Sequence, residues 1–441
     1  MNTNDVIIVS DLHLSPERDR GLFQADAELA SFLRWIAEDT VGPCRVVLAG
    51  DFIDLLVPPP GEDSIPAFDP GGAARRTQLI LDRHPEVFDA LARLATSGDH
   101  ELVFLGGNHD PELVLPQVQE TIEARLSAVQ TRPFVRWLVN GEANLFTIGG
   151  ARILVEHGDL YDDWNRIDRN ALRLAVSRIS RGLLGEHGYQ PPPGSRLVVE
   201  HLQSLRSRYP WVDSLKPERE AVFPLLHAFL PPTEQVRLIR ALRHWLATLR
   251  RSFVTEVLRQ YRPVAIVRSA ADDRRQQLRS WLDTEAQGTR RDVPDLSFDR
   301  LIPRLRRVSA ENSYFDLEAV DSNCEEVSFL LAQGVDLIVH GHTHAAKAYL
   351  VGEGLYLNAG TWGRLLALPG SEAPDKEWRD FLEHLARGEH LGATHPTFVR
   401  IRLDPDERAT DAALLAWRSG GPTVEARFRF EPLTRHWNQE I

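Results

Sequence analysis

Apolar and polar positions alternate in blocks along the first third of the chain. DVIIVSD (5–11) is an apolar, β-branched run that breaks into polar residues, and CRVVLAGD (44–51) and ELVFLGGNHD (101–110) repeat the pattern. Each predicts a short buried strand. Between them, Leu29, Phe32, Leu33, Ile36 and Ala37 fall at helical spacing within 25–39, and EVFDALARLATSG (86–98) predicts a helix closed near Gly98. The β-α-β-α-β order predicts a buried sheet with right-handed crossovers. EANLFTIGGARILVEHGD (142–159) reads as a hairpin, two apolar runs around Gly149 and Gly150.

From about 162 the pattern turns helical. Within 233–261, Val236, Ile239, Leu242, Leu246, Leu249, Phe253 and Val257 could form one stripe, read as core of this region. QPPPGS (190–195) reads as a loop, and the Arg- and Asp-rich stretch 268–312 as loop with short helices. A helical pattern resumes at about 316–333, a strand follows at 335–339, and the last 45 residues, including TFVRIRL (397–403) and VEARFRF (424–430), read as strands that finish the core. The fold class is α/β. Its core comprises 1–161 and 313–441, interrupted at 162–312 by a mostly helical insertion that could act as a lid.

Composition supports a soluble globular protein: of 441 residues, 43% are apolar and 26% charged. No apolar run approaches the roughly 20 residues that span a bilayer. The opening MNTNDVIIVSDLHL has no basic leader region and reads as a first strand, so a cytoplasmic protein is expected. Cys44 and Cys324 are too few for a disulfide framework and read as inert small apolar residues. The net charge of −12 argues against binding of nucleic acid by the whole protein, yet 162–310 holds 27 Lys and Arg against 17 Asp and Glu. Such a block suits an anionic partner or substrate. A bias toward Arg is the plainer account, since only Lys216, Lys347 and Lys376 of the 51 basic residues are lysine.

Five apolar strands end in residues able to bind metal. They carry Asp11 and His13 in VSDLHLS, Asp51 and Asp54 in LAGDFID, and Asn108, His109 and Asp110 in LGGNHDP; His157 and Asp159 follow in VEHGD, and His342 and His344 in HGHTH. Ligand sites form at the carboxyl ends of strands in α/β sheets, and residues i and i+2 of an extended segment point the same way. Mixed carboxylate and imidazole donors suit Mn, Fe, Zn, Co or Ni better than Ca or Mg. Seven donors (Asp11, His13, Asp51, Asn108, His157, His342, His344) exceed one four-coordinate ion and suit two that share a carboxylate. Asp110 and Asp159 read as turn or supporting residues. His84, His100, His187, His201, His227 and His244 read as core histidines, Trp164 could line a pocket, and His340 is unassigned.

The five segments stand in the order D-x-H, GD-x-x-D, GN-H-[DE], H and GH-x-H, which resembles the signature of the calcineurin-like metallophosphoesterase superfamily over about 1–161 and 313–365. The resemblance implies a layered β-sandwich flanked by helices and two divalent ions, manganese first among them. One ion would be held by Asp11, His13, His344 and a bridging Asp51, the other by Asp51, Asn108, His157 and His342. His109 would protonate the leaving oxygen or stabilise the transition state, with Asp54 orienting its ring. The implied activity is hydrolysis of a phosphodiester or diphosphate bond by a metal-bridged hydroxide. Phosphomonoesterase, nuclease and non-catalytic scaffold are the competing readings, the last disfavoured by the intact donor set. The substrate would be a small-molecule, nucleotide or lipid-linked phosphoester. Within the superfamily the chain is most similar to bacterial branches near the UDP-2,3-diacylglucosamine pyrophosphohydrolases. Those commonly carry Arg where this chain has His109, and they are shorter, with a small helical cap.

Overall fold

The computed structural model describes residues 5–17, 21–39, 42–59, 68–97, 100–127, 134–183, 189–199, 203–240, 242, 298–321, 324–389, 392–403 and 410–440. His187, His201, His244 and the stripe positions Leu246, Leu249, Phe253 and Val257 lie outside them, as does the side chain of Cys324.

The three strands predicted first form as β1 (Asp5–Val9), β2 (Cys44–Ala49) and β3 (Glu101–Leu105), parallel neighbours joined by β4 (Val135–Leu138). The predicted hairpin is β5 (Asn144–Ile148) and β6 (Ala151–Val155), which turns at Gly149 and Gly150, both at positive φ. β7 (Leu215–Lys216) is a two-residue strand in the insertion. β8 (Leu337–His340), β9 (Lys347–Val351) and β10 (Gly354–Asn358) complete a second sheet in the order β5-β6-β8-β10-β9. β11 (Arg364–Ala367) and β12 (Ala393–Thr394) form a small sheet with β7. β13 (Thr397–Leu403), β14 (Thr410–Arg418), β15 (Gly421–Glu431) and β16 (His436–Glu440) extend the first sheet, whose order is β16-β15-β14-β13-β1-β2-β3-β4.

The two large sheets pack face to face. Val6, Ile8, Val47, Ala49, Val103 and Leu105 share a core with Ile153, Val155, Leu337, Val339, Leu355 and Leu357. The alternate residues Ile7, Val9, Val46, Leu48, Leu102 and Phe104 share a second core with α1 (Asp26–Asp39), α2 (Pro70–Arg83), α3 (Pro85–Thr96) and α4 (Pro116–Leu126). Cover on both faces explains why these strands are apolar throughout rather than alternating. Beyond the second sheet, Leu154, Ile338 and Tyr356 pack on Val327 of the helix Cys324–Ala332. This is the layered, helix-flanked sandwich expected.

Within 162–312 the described helices include α5 (Arg169–Ile179), Glu218–Phe229 and Phe298–Glu311. The last of these stands where the sequence predicts loop with short helices. Leu301, Ile302 and Leu305 bury one side of it, a stripe hidden by the surrounding arginines. A separate hydrophobic cluster unites Trp211, Leu226, Ile239, Leu242 and Leu305 with Leu366, Trp378, Leu382 and Leu385. Trp211 Nε1 donates to the Leu385 carbonyl at 2.8 Å, and β7 pairs with β11, so the helical region is bonded to the chain that follows the second sheet. Trp211→Ala is expected to cost about 3–5 kcal/mol, read as a fall in the denaturation midpoint. His84, His100 and His227 are buried; His84 Nδ1 lies 2.5 Å from Asp26 Oδ1 and Nε2 lies 2.9 Å from the Ser15 carbonyl. Cys44 is buried too. Among the described residues no helix is long and apolar enough to cross a membrane.

Candidate metal centre

The five predicted segments meet at one edge of the sandwich. Three follow the carboxyl ends of β1, β2 and β3 in the first sheet, and two follow β6 and β8 in the second. Backbone hydrogen bonds lace the strand ends together: Asp11 N–H to the Gly50 carbonyl (3.2 Å), His13 N–H to Asp51 (2.9 Å), and Gly341 N–H to His157 (3.0 Å).

Asp11, His13, Asp51, His342 and His344 all have left-handed backbones, with φ from 50° to 67°. Ser419 and Arg435 are the other non-glycine residues with positive φ among those described. Such a backbone costs about 1–3 kcal/mol per residue and persists where surrounding structure over-determines it, commonly at functional sites. Close approach also fixes two glycines. A Cβ on Gly107 would lie 2.1 Å from Asp51 Oδ1, and one on Gly50, at φ +87°, 2.4 Å from His157 Nδ1. Gly50→Ala is therefore expected to lose at least about 1 kcal/mol of stability and to weaken metal binding as His157 is displaced. Thermal denaturation and metal titration would measure the two effects.

The side chains converge in two groups that share one oxygen. Among the described residues, donor atoms of Asp11, His13, Asp51 and His344 all lie within 4.8 Å of one another. His13 Nε2 is 2.9 Å from His344 Nε2 and 3.7 Å from Asp51 Oδ2, while His344 Nε2 is 3.2 Å from Asp11 Oδ1. On the other side of Asp51, the same Oδ2 is 3.4 Å from His157 Nε2, which is 3.2 Å from Asn108 Oδ1. His342 adjoins this second group through its ring, 5.2 Å from that of His157, but its Nε2 lies 3.2 Å from Asp162 Oδ2.

Electrostatics follow from burial. Asp11, His13, Asp51, Asn108 and His157 are at most 3% exposed. Burial opposes ionisation of Asp11, Asp51 and Asp54, yet the His13 and His344 imidazoles beside Asp11, the His157 charge beside Asp51 and the His109 charge beside Asp54 hold all three below the usual carboxylate range. The imidazoles respond in kind. Burial disfavours charge on His13 and His157, but Asp11 and Asp51 respectively outweigh it, carrying His157 to about 10. Burial prevails at His344, which falls to about 4. Asp11 Oδ1 is buried without a hydrogen bond. Anionic oxygens and imidazole nitrogens crowded in a nearly dry site are a donor set that fits divalent cations.

His109 stands beside this set. Its Nδ1 is 3.1 Å from Asp54 Oδ1, its ring centroid is 4.6 Å from that of His13, and its backbone N–H donates to Asp51 Oδ1 at 2.8 Å. Burial would depress its protonation, but the charges of Asp54 and Asp51 raise it. Asp54 is also 3.5 Å from His13 Nδ1 and accepts the Leu56 N–H. Asp110 ties two strand ends by accepting the N–H groups of Gly107 and Phe52. Asp159 accepts from Arg169. His340 is a core residue, 3.1 Å from Glu156 Oε1 and stacked on Tyr161.

The donors open into a cavity of about 380 Å³. Its lining includes Trp164, Leu197, Phe223 and Lys216 from 162–312; Asp162 and Tyr314 line it too. Trp164 had a sequence signal. Asp162 lies five residues beyond His157 and could have been flagged by that nearness, Lys216 by the rarity of lysine, and Tyr314 by nothing in the sequence.

Residues 5–221 match the family model of the calcineurin-like phosphoesterases. The match takes in every expected site residue from Asp11 to His157; His342 and His344 lie beyond it and join the cluster through β8. Among solved structures, a conserved protein of Streptococcus pneumoniae TIGR4 described as a predicted phosphoesterase aligns at 9% identity over 96% of this chain and 98% of its own, with a TM-score of 0.26. A single mutant of Vps29 from Entamoeba histolytica aligns at 10% identity over 97% and 99%, with a TM-score of 0.28. Vps29 from Cryptosporidium parvum aligns at 20% over 25% and 45%, with a TM-score of 0.16. No curated protein matches the chain.

Proposed function

We propose that this chain is a two-metal phosphoesterase that hydrolyses a phosphodiester or diphosphate bond in a small phosphoester. The observation that carries the reading is Asp51 Oδ2, one buried oxygen 3.7 Å from His13 Nε2 and 3.4 Å from His157 Nε2, with a donor group on either side. Asp11, His13, Asp51 and His344 would hold one ion, and Asp51, Asn108, His157 and His342 the other. Two divalent ions, manganese foremost, would supply positive charge to the phosphoryl oxygens and acidify a water.

The chain's own residues account for the rest. A carboxylate only accepts, so the proton on His109 Nδ1 is donated to Asp54 and Nε2 is left to serve the substrate. With Asp54 and Asp51 favouring its charged form, His109 is an acid suited to protonating the departing oxygen. Asp54 is a positioning residue. The volume of about 380 Å³, walled by the insertion, suits a small molecule. A cavity lined beyond the donors by Trp164, Leu197, Phe223 and Lys216 can take a substituent on the phosphoryl group, which favours a diester or diphosphate over a monoester. The resemblance to UDP-2,3-diacylglucosamine pyrophosphohydrolase-like enzymes supports the same bond type.

The test is metal analysis of the purified protein together with hydrolysis of bis(p-nitrophenyl) phosphate and p-nitrophenyl phosphate, with Mn²⁺ and with a chelator. Two bound ions and Mn²⁺-dependent cleavage of the diester are expected. Preference for the monoester would make this a phosphatase. Neither metal nor turnover, with Mn²⁺ supplied, would leave a scaffold on the same fold.

A further inference from the structure

Lys216 is set into the cavity wall by pairing that spans the chain. β7 lies parallel to β11, with Leu215 opposite Leu366 and Lys216 opposite Ala367, and the Ser214 carbonyl accepts the Leu366 N–H at 2.7 Å. The lysine is 5% exposed and lines the same cavity as His109, Asn108 and His344. Its Nζ stands 5.8 Å from the centre of the Tyr314 ring, and Tyr314 Oη donates to the carbonyl of Thr343, the residue between His342 and His344.

An ammonium carries three donors, and a buried one needs partners. Among the described residues Lys216 Nζ makes one long hydrogen bond, 3.3 Å to Glu218 Oε2, a side chain 53% exposed. Elsewhere the chain meets its carboxylates mostly with arginine: Arg206 in the same wall is engaged by Asp213 at 2.9 Å. Lysine offers a compact point charge that can accept an oxygen anion from any direction, where a guanidinium requires a matched planar partner. Leu197 and Phe223 line the insertion side of the same cavity.

We infer that Lys216 is a specificity-determining residue that binds a second anionic group of the substrate, beside the phosphoryl group that reacts. The substrate class is then a diphosphate whose non-reacting phosphate pairs with Lys216 and whose organic part packs on Leu197 and Phe223. This rests on the phosphoesterase reading of the cleft.

Calorimetric titration of the full-length, Mn²⁺-loaded protein with methylenediphosphonate and with methylphosphonate tests it. The wild type is expected to prefer the diphosphonate by about tenfold or more. Lys216→Met should remove most of that preference, and Lys216→Arg, which keeps the charge, should retain part of it. Lys376→Met, at an exposed site on the helix Asp375–Ala386, should leave it intact. Equal binding of the two ligands by the wild type, or an undiminished preference in Lys216→Met, would overturn the assignment. Should Lys216→Met fail to fold, a Lys216→Arg preference no different from that of Lys216→Gln would do the same. Hydrolysis of bis(p-nitrophenyl) phosphate is followed in parallel. Its absence, with the binding preference and its Lys216 dependence preserved, would count against the catalytic reading and leave the anion site standing.

Discussion

Asp51→Asn is expected to lower hydrolysis of bis(p-nitrophenyl) phosphate by about three orders of magnitude and to reduce bound metal from two ions to one or none. The substitution keeps shape and volume, so the loss reports chemistry rather than packing. Both carboxylate oxygens act as acceptors: Oδ1 takes the His109 N–H at 2.8 Å, and Oδ2 faces His13 and His157. An amide has one oxygen. Turned one way, it points NH₂ at the His109 N–H; turned the other, it points NH₂ at the converging donors. Either orientation breaks one function, and the shared charge is gone in both. Metal analysis and steady-state kinetics on one preparation would measure the pair of effects. Full activity with two ions retained would remove Asp51 from the centre of the site.

His109→Ala should separate proton transfer from metal binding. We expect kcat to fall by about 10²–10⁴ while two ions remain, because the ring lies beside the convergent donors and its backbone N–H still reaches Asp51. The size of the loss should depend on the leaving group. An alkoxide requires a proton far more than p-nitrophenolate, so an alkyl ester of the same phosphate should suffer more than the nitrophenyl ester. Loss of an ion from His109→Ala would instead assign the ring to a donor group, since His109, Asp54 and His13 also lie close enough together to share a cation. An equal loss for both leaving groups would give His109 an electrostatic role without proton transfer.

The expected site residues were legible because their chemistry demands a local signature. A short buried strand is apolar on both faces, so the polar residues that end it stand out, and Gly50 and Gly107 beside them mark where backbone must pass close to Asp51 and His157. The helix α2 has no counterpart among the expected elements although Asp69 caps it and Pro70 opens it; Gly71 and Gly72 in its first turn weaken the local helical signal. The strands β14 and β16 fall in the stretch expected to be strands but were not delimited, for another reason. They pair only with neighbours in an antiparallel extension, and a shift in register between Leu414 and Leu415 interrupts the alternation that would announce β14. Of the residues facing the donors across the cleft, Trp164 alone was expected. Lys216 gains its place from pairing with Ala367, and Tyr314 from a hydrogen bond to Thr343. Neither contact leaves a trace in local periodicity.

The position of β1 between β2 and β13 governs how the molecule can be made. The strand that presents Asp11 and His13 keeps an open edge until Thr397–Leu403 arrives to pair with it. His342 and His344, too, are supplied long after the other donors. A nascent chain emerging from the ribosome therefore holds an unpaired apolar strand and a partial set of donors for most of its synthesis. Open strand edges invite pairing with other chains. The full set of donors exists only once the segment carrying His344 has been made, and the early segment is where a chaperone would matter most.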